Sequence, residues 1–251
     1  MRTYHLAILG LAASLVQALP TPSVYRPFKP PKGKGGDATT GNSGDANGGH
    51  VVNSGWNIYN GPGANKAGNG GISWTGDAIA GDGGFFGGNG GNAKSGNSGD
   101  ANGGSVINQG GNIYNGPGAN KAGNGGVSVS GTAIGGDAHR KRGYKPFKGA
   151  DATSGNAASA NGKGVYNTGW VIANGPNANK GENGGFSITG PAVGGDGLFS
   201  GGDATSGNAN NANGGPVVNK GGYIINGPGA NKAGNGGVSV SGPAYGGNAG
   251  P

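Results

Sequence analysis

The sequence predicts an all-β repeat, built as a thin β-solenoid or a glycine-rich β-sandwich with flexible linkers. A largely disordered low-complexity chain is the alternative. Three observations carry the prediction. A unit of about fifty residues recurs four times. Apolar and polar residues alternate within each unit as they do in strands. Glycine is too dense for a helix to form after the first residues.

Composition sets the outer limits. Of 251 residues, 66 are Gly and 14 are Pro, a proportion above the usual mark for low-complexity chains. Leu, Ile, Val and Phe together supply only about 15%, less than a packed core normally draws on. Gly also loses the most backbone entropy on folding. A chain so composed cannot bury the apolar area of an ordinary enzyme domain. Low hydrophobicity favours disorder, but its usual companion, a high net charge, is weak here: +7, with 11% charged residues.

The basicity is dilute. Single lysines recur once per unit (Lys66, Lys121, Lys180, Lys232), and the densest basic run is Arg140-Lys141-Arg142. Nucleic-acid binding needs Lys/Arg clusters interleaved with aromatics, so no nucleic-acid partner is expected. Weak attraction to acidic polysaccharide or membrane surfaces fits the charge.

Residues 1–18 read as a secretory signal. Met1–His5 carries Arg2, Leu6–Val16 is apolar but too short to span a bilayer, and Val16-Gln17-Ala18 offers a cleavage site after Ala18. No later stretch is long and apolar enough to cross a membrane, so the expected location is extracellular or cell-wall associated. The chain has no Cys, which excludes disulfides and thiolate metal sites.

The four units start near Gly35, Gly90, Gly149 and Gly201. Their middles read VVNSGWNIYNGPGANKAGNGGISWTGDA from Val51, VINQGGNIYNGPGANKAGNGGVSVSGTA from Val106, VYNTGWVIANGPNANKGENGGFSITGPA from Val165 and VVNKGGYIINGPGANKAGNGGVSVSGPA from Val217. A second symmetry overlies the first, because Tyr25-Arg26-Pro27-Phe28-Lys29 precedes unit one and Tyr144-Lys145-Pro146-Phe147-Lys148 precedes unit three. The expected organisation is a flexible segment 19–34, module one at 35–138, a basic linker at 139–148 and module two at 149–251. Arg140, Lys141 and Arg142 lie at the module boundary, where a Kex2/furin-type protease would read the paired bases. An intact solvated linker is the plainer reading.

Within each unit the second stretch alternates clearly: Val127 and Val129 point one way, Ser128 and Ser130 the other. The first stretch carries apolar residues on both faces (Val51, Val52, Trp56, Ile58, Tyr59). NGPGANKAGNGG between them is turn-forming. Around 202–209 nearly every side chain is small, which suits sheets that approach closely and asparagine ladders along the stack.

Chemistry is scarce. GPGANKAGNGG fails as a phosphate loop, since Asn69 and Gly70 follow Gly68 where Lys and a hydroxyl are required. Asp37, Asp45, Asp77 and Asp82 sit in fragments like a calcium nonapeptide, but no nine-residue period exists, and turn capping explains them better. His50 is replaced by Ser105, Gly164 and Pro216 in the other units, and Glu182 is the single Glu. No catalytic residue, cofactor or metal is expected. Trp56, Tyr59, Trp74, Tyr114, Trp170, Tyr223 and Tyr245 fall at or near equivalent strand positions. The economical reading makes them the bulky filling of a thin core. The other makes Trp56, Tyr59, Tyr114, Trp170 and Tyr223 surface contacts for glycans, stacking on sugar rings.

Signal peptide, Gln17-Ala18-Leu19-Pro20 and near-identical repeats divided at Lys141-Arg142 resemble secreted, Cys-free, Gly/Asn-rich fungal repeat proteins of the Kex2-processed type. Such precursors usually carry several cleavage sites and shorter units, a departure that argues against a pheromone-like product. The resemblance implies a structural or surface-interaction role at a cell wall, extracellular matrix or host interface. Self-association and a wall or host polysaccharide are the expected partners. An antimicrobial or host-directed peptide precursor and a carbohydrate-binding module are the alternatives.

Overall fold

In the computed structural model, residues 33–84, 87–139 and 147–250 are described. They contain no helix, and one compact unit spans Lys32–Pro251. The signal peptide, most of segment 19–34 and the dibasic residues Arg140, Lys141 and Arg142 lie outside the described residues, as does Ala18.

The described residues wind through four turns. The first carries β1 (Ala38–Thr39), β2 (Val51–Asn60), β3 (Asn65–Lys66), β4 (Ile72–Trp74) and β5 (Ala78–Ile79). The second repeats them as β6 (Ala93–Lys94), β7 (Val106–Asn115), β8 (Asn120–Lys121), β9 (Val127–Val129) and β10 (Ala133–Ile134). In the third, the long strand breaks at Gly169-Trp170, giving β11 (Ala152–Thr153), β12 (Val165–Thr168), β13 (Val171–Asn174), β14 (Asn179–Lys180), β15 (Phe186–Ile188) and β16 (Ala192–Val193). The fourth is β17 (Ala204–Thr205), β18 (Val217–Lys220), β19 (Tyr223–Asn226), β20 (Asn231–Lys232), β21 (Val238–Val240) and β22 (Ala244–Tyr245).

Equivalent strands stack in register into parallel sheets. The first joins β1, β6, β11 and β17. The second joins β2 to β7, then β12 and β13, then β18 and β19. The third runs β3-β8-β14-β20, the fourth β4-β9-β15-β21 and the fifth β5-β10-β16-β22. Repeat identity thus becomes vertical pairing: Ala38 on Ala93, Asn53 on Asn108, Ser73 on Ser128. This is the all-β repeat expected from the sequence, in its solenoid form. The two modules are not separated, because β7 of the second turn pairs with β12 and β13 of the third.

The interior is made of small and polar groups. Alanines fill the space between the first and fifth sheets, centred on Ala93, Ala133, Ala152 and Ala192. Val106, Val165, Ala67 and Ala122 form a second cluster, and Ile58, Ile113 and Ile172 a column of their own. The alternating stretch turns its hydroxyl face inward: Ser73, Ser128 and Ser187 are buried, while Ile72, Trp74 and Phe186 are exposed. The cause is how closely opposite walls of each turn approach. Gly71 N–H reaches Ala46 O at 2.6 Å, and Gly68 N–H reaches Gly49 O at 2.9 Å. A Cβ on Gly103 would overlap the Gly123 carbonyl, so larger side chains have no room. Serine fits and finds a partner: Ser128 Oγ donates to Gly99 O at 3.0 Å and shares a 2.7 Å bond with Ser98 Oγ.

Three asparagine ladders meet inside. Asn53 Nδ2 donates to Asn108 Oδ1, Asn108 to Asn167 and Asn167 to Asn219, each at 2.7 Å. Asn60, Asn115, Asn174 and Asn226 form a second ladder, and Asn65, Asn120, Asn179 and Asn231 a third. Each amide of turns two and three meets the same group above and below, so the most deeply buried ones are all paired.

The GPGA segment is a Pro-Gly turn closed by Ala64 N–H to Gly61 O at 3.2 Å, with Gly63 at φ 63°. Turn three has Asn177 at that place with φ 54°. Asn is the non-glycine residue that best tolerates the left-handed region, which is why this repeat could lose its Gly.

Candidate functional site

The long strands of the second sheet present an outer side to solvent. Trp56 (79% exposed), Trp170 (74%), Tyr59 (73%), Tyr223 (61%) and Tyr114 (39%) all stand on it. The core-filling reading of these aromatics is therefore overturned. The walls lie too close for a ring: Trp56, Tyr59, Tyr114 and Tyr223 occupy outward positions of strands whose inward positions are Asn, Val and Ile, and Trp170 stands outward at the break between β12 and β13. Trp74 and Tyr245 point outward from the fourth and fifth sheets.

Their arrangement follows the repeat. Tyr59 and Tyr114 pair in register, and their rings stack with centroids 4.9 Å apart and planes within 5°. Ala173 and Ile225 continue that column, and the four side chains border a shallow groove. Trp56 lies against Gly111 of the next turn, and Trp170 lies against Gly222. Tryptophan and glycine thus alternate along the stack, each indole resting on a residue with no side chain. Beside them the exposed amides of Asn57 and Asn112 bond at 2.9 Å. Thr168 and Lys220 flank the hollow at Trp170. Rigid rings with neighbouring amides and hydroxyls can stack on an apolar ring face and bond to its polar rim.

A second groove follows the first sheet, lined by Thr39-Thr40-Gly41-Asn42 and its equivalents Lys94-Ser95-Gly96-Asn97, Thr153-Ser154-Gly155-Asn156 and Thr205-Ser206-Gly207-Asn208. Several of its polar atoms are already used internally: Asn42 Oδ1 accepts Asn97 N–H at 2.8 Å, and Ser95 Oγ donates to Gly131 O at 2.7 Å.

The aspartates serve the stack. Asp37, Asp45, Asp77 and Asp82 each accept a backbone N–H from the next turn, at Asn92, Asp100, Thr132 and Asp137, over 2.7–2.9 Å. Asn occupies the same columns elsewhere, as when Asn92 Oδ1 accepts Asp151 N–H, because only the acceptor oxygen is required. Lys34 and then the Asn92 N–H hold the Asp37 carboxyl below the usual carboxylate value. The Asp203 N–H, followed by Lys148, does the same for Asp151, while Asp151 holds Lys148 above its ordinary range. Among the described residues, no group of three or more His, Asp or Glu is placed to hold a metal ion. His50 Nδ1 accepts Ser105 N–H at 2.9 Å, another contact between turns.

Sequence reasoning missed Glu182. It is buried, with Oε1 2.7 Å from Lys180 Nζ and 3.5 Å from Lys121 Nζ. The available signal was a lone carboxylate at a position that is Gly68, Gly123 and Gly234 in the other turns.

No family model, curated protein or solved structure matches the chain. Among the described residues, no helix is long and apolar enough to cross a membrane.

Proposed function

We propose that this protein is a secreted structural repeat protein of an extracellular surface (cell wall, matrix or host interface), and that the aromatic face of its second sheet adsorbs polysaccharide. The observation that carries this reading is the exposure of Trp56, Tyr59, Tyr114, Trp170 and Tyr223 along the outer side of one parallel sheet and its break. Two turns separate Trp56 from Trp170, about 9.5 Å at ordinary strand spacing. That step is on the scale of two sugars in an extended chain, so one linear polysaccharide running along the stack could meet both indoles. Cutting after Arg142 belongs to the same reading as a maturation step.

Sedimentation with insoluble chitin, cellulose and β-glucan tests the proposal. The expected result is binding to at least one of them, weakened about tenfold by W56A and again by W170A, as loss of one stacked ring implies. Equal retention of wild type and the double variant on every polymer rejects it.

A further inference from the structure

The two ends of the stack fit each other. Between turns three and four, Asp and Asn positions make reciprocal pairs. Ala152 N–H donates to Asp203 O and Asp203 N–H donates to Asp151 Oδ1, both at 2.8 Å. Gly184 N–H donates to Asn235 O at 2.9 Å, and Asn235 N–H donates to Asn183 Oδ1 at 2.8 Å. Turn four has the same groups ready for a following turn: the N–H of Gly236 beside the Oδ1 of Asn235, and the N–H of Ala204 beside the Oδ1 of Asp203. Turn one has their complements, the C=O and N–H of Asn69 and of Asp37. Among the described residues these groups have no partner in the next-turn direction.

We propose that copies of this chain stack head to tail, turn four of one on turn one of the next, into a filament that continues the solenoid. Three further features agree. The isoleucine column ends at Ile224, which is 38% exposed where Ile113 and Ile172 are fully buried, and Ile58 of the next copy would cover it. Turn four repeats the interior pattern of turn two, residues 226–242 matching 115–131, so the surface it offers has the same form as one that already pairs with a following turn. The alternation of Trp56, Gly111, Trp170 and Gly222 also stays in phase, because turn four ends on glycine and turn one begins on tryptophan. A heterologous interface that does not close on itself gives open filaments. This inference stands apart from the polysaccharide reading, since the aromatic face is not at either end.

The glycines supply a clean test. A Cβ on Gly96, Gly155 or Gly207 would overlap the carbonyl of the turn before it, but on Gly41 it meets open space. A Cβ on Gly184 would overlap Ala212 O of the following turn, whereas on Gly236 the nearest atom is 3.9 Å away. G41A and G236A therefore leave the single chain intact while blocking one end each. Light scattering and electron microscopy of the purified protein should show concentration-dependent fibres, with an axial diffraction spacing of about 4.8 Å. Each variant should melt as wild type does yet lose fibres, and an equimolar mixture of the two should stop at dimers. A wild type that stays monomeric at high concentration overturns the proposal. So do variants that form fibres normally, or a monomer that polymerises only after residues 19–32 are deleted, since that segment would then be the occupant.

Discussion

Asn108 and Asn167 stand one above the other at the centre of the stack, both fully buried, with Asn108 Nδ2 donating to Asn167 Oδ1 at 2.7 Å. Asn108 Oδ1 meanwhile accepts from Asn53. The residue holds three turns together through one side chain. Such an amide is worth little against water but a great deal once its partners are buried.

Replacing it tests that asymmetry. N108A leaves the fully buried Asn167 Oδ1 without its donor, at a cost of about 1–3 kcal/mol, and strips the half-buried Asn53 amide of its 2.7 Å acceptor. N112A removes the exposed pair with Asn57 and should change stability by less than about 0.5 kcal/mol. Denaturant unfolding followed by far-ultraviolet circular dichroism measures both, and equal effects would mean the ladder is ornamental.

Two glycines separate close approach from composition. A Cβ on Gly125 would overlap the Ala160 carbonyl, whereas on Gly76 it meets only Thr40 Cγ2 at 3.7 Å. G125A should lower stability by more than about 2 kcal/mol by forcing backbone apart. G76A should be neutral or gain about 0.4–1 kcal/mol through a stiffer unfolded chain. The same unfolding curves decide it.

The pH profile follows from three groups. Asp37 and Asp151 have folded values below 3.8, so their contribution is present above that pH and disappears as pH falls through the folded values. Lys148 is raised above 10.5, so its contribution is present below that pH and is lost as pH rises through the folded value. Melting temperature should be level between these limits and fall beyond each. D151N keeps the acceptor for Asp203 N–H but removes the charge. It should reduce both slopes while lowering stability at neutral pH by under about 1 kcal/mol, as an exposed pair allows.

A chain cut between modules should not come apart. Turns two and three share all five sheets, including the Asn108–Asn167 and Asn120–Asn179 contacts. Protein nicked after Arg142 should elute at the size of the uncut chain in native chromatography and separate only in denaturant. Two half-size species without denaturant would refute this.

Much of the fold was legible in the sequence because repetition is. Matching Val51 with Val106, Val165 and Val217 gives the register later seen as strand pairing, and the Pro-Gly step before Ala64 announces its turn. The facing of the strands was not legible. Periodicity shows that Ser128 and Val127 part company, but not which of them faces the interior. That depends on how near the opposite wall lies, which only the glycines at Gly103 and Gly123 brought together could set. The aromatic positions were identifiable as equivalent, yet their exposure follows from the same unseen distance. Glu182 escaped because a single departure from a repeat looks like drift until its two lysines are placed.

The polar interior carries a calorimetric consequence. Unfolding an ordinary domain raises the heat capacity because apolar hydration outweighs the opposing polar term, by about 12–15 cal/mol/K per residue. Here much of what unfolding releases is peptide group, Asn amide and Ser hydroxyl, with isoleucine confined to one narrow column. The heat-capacity increment should fall well below the usual figure. A flatter stability curve follows, one that varies little from freezing to warm surroundings.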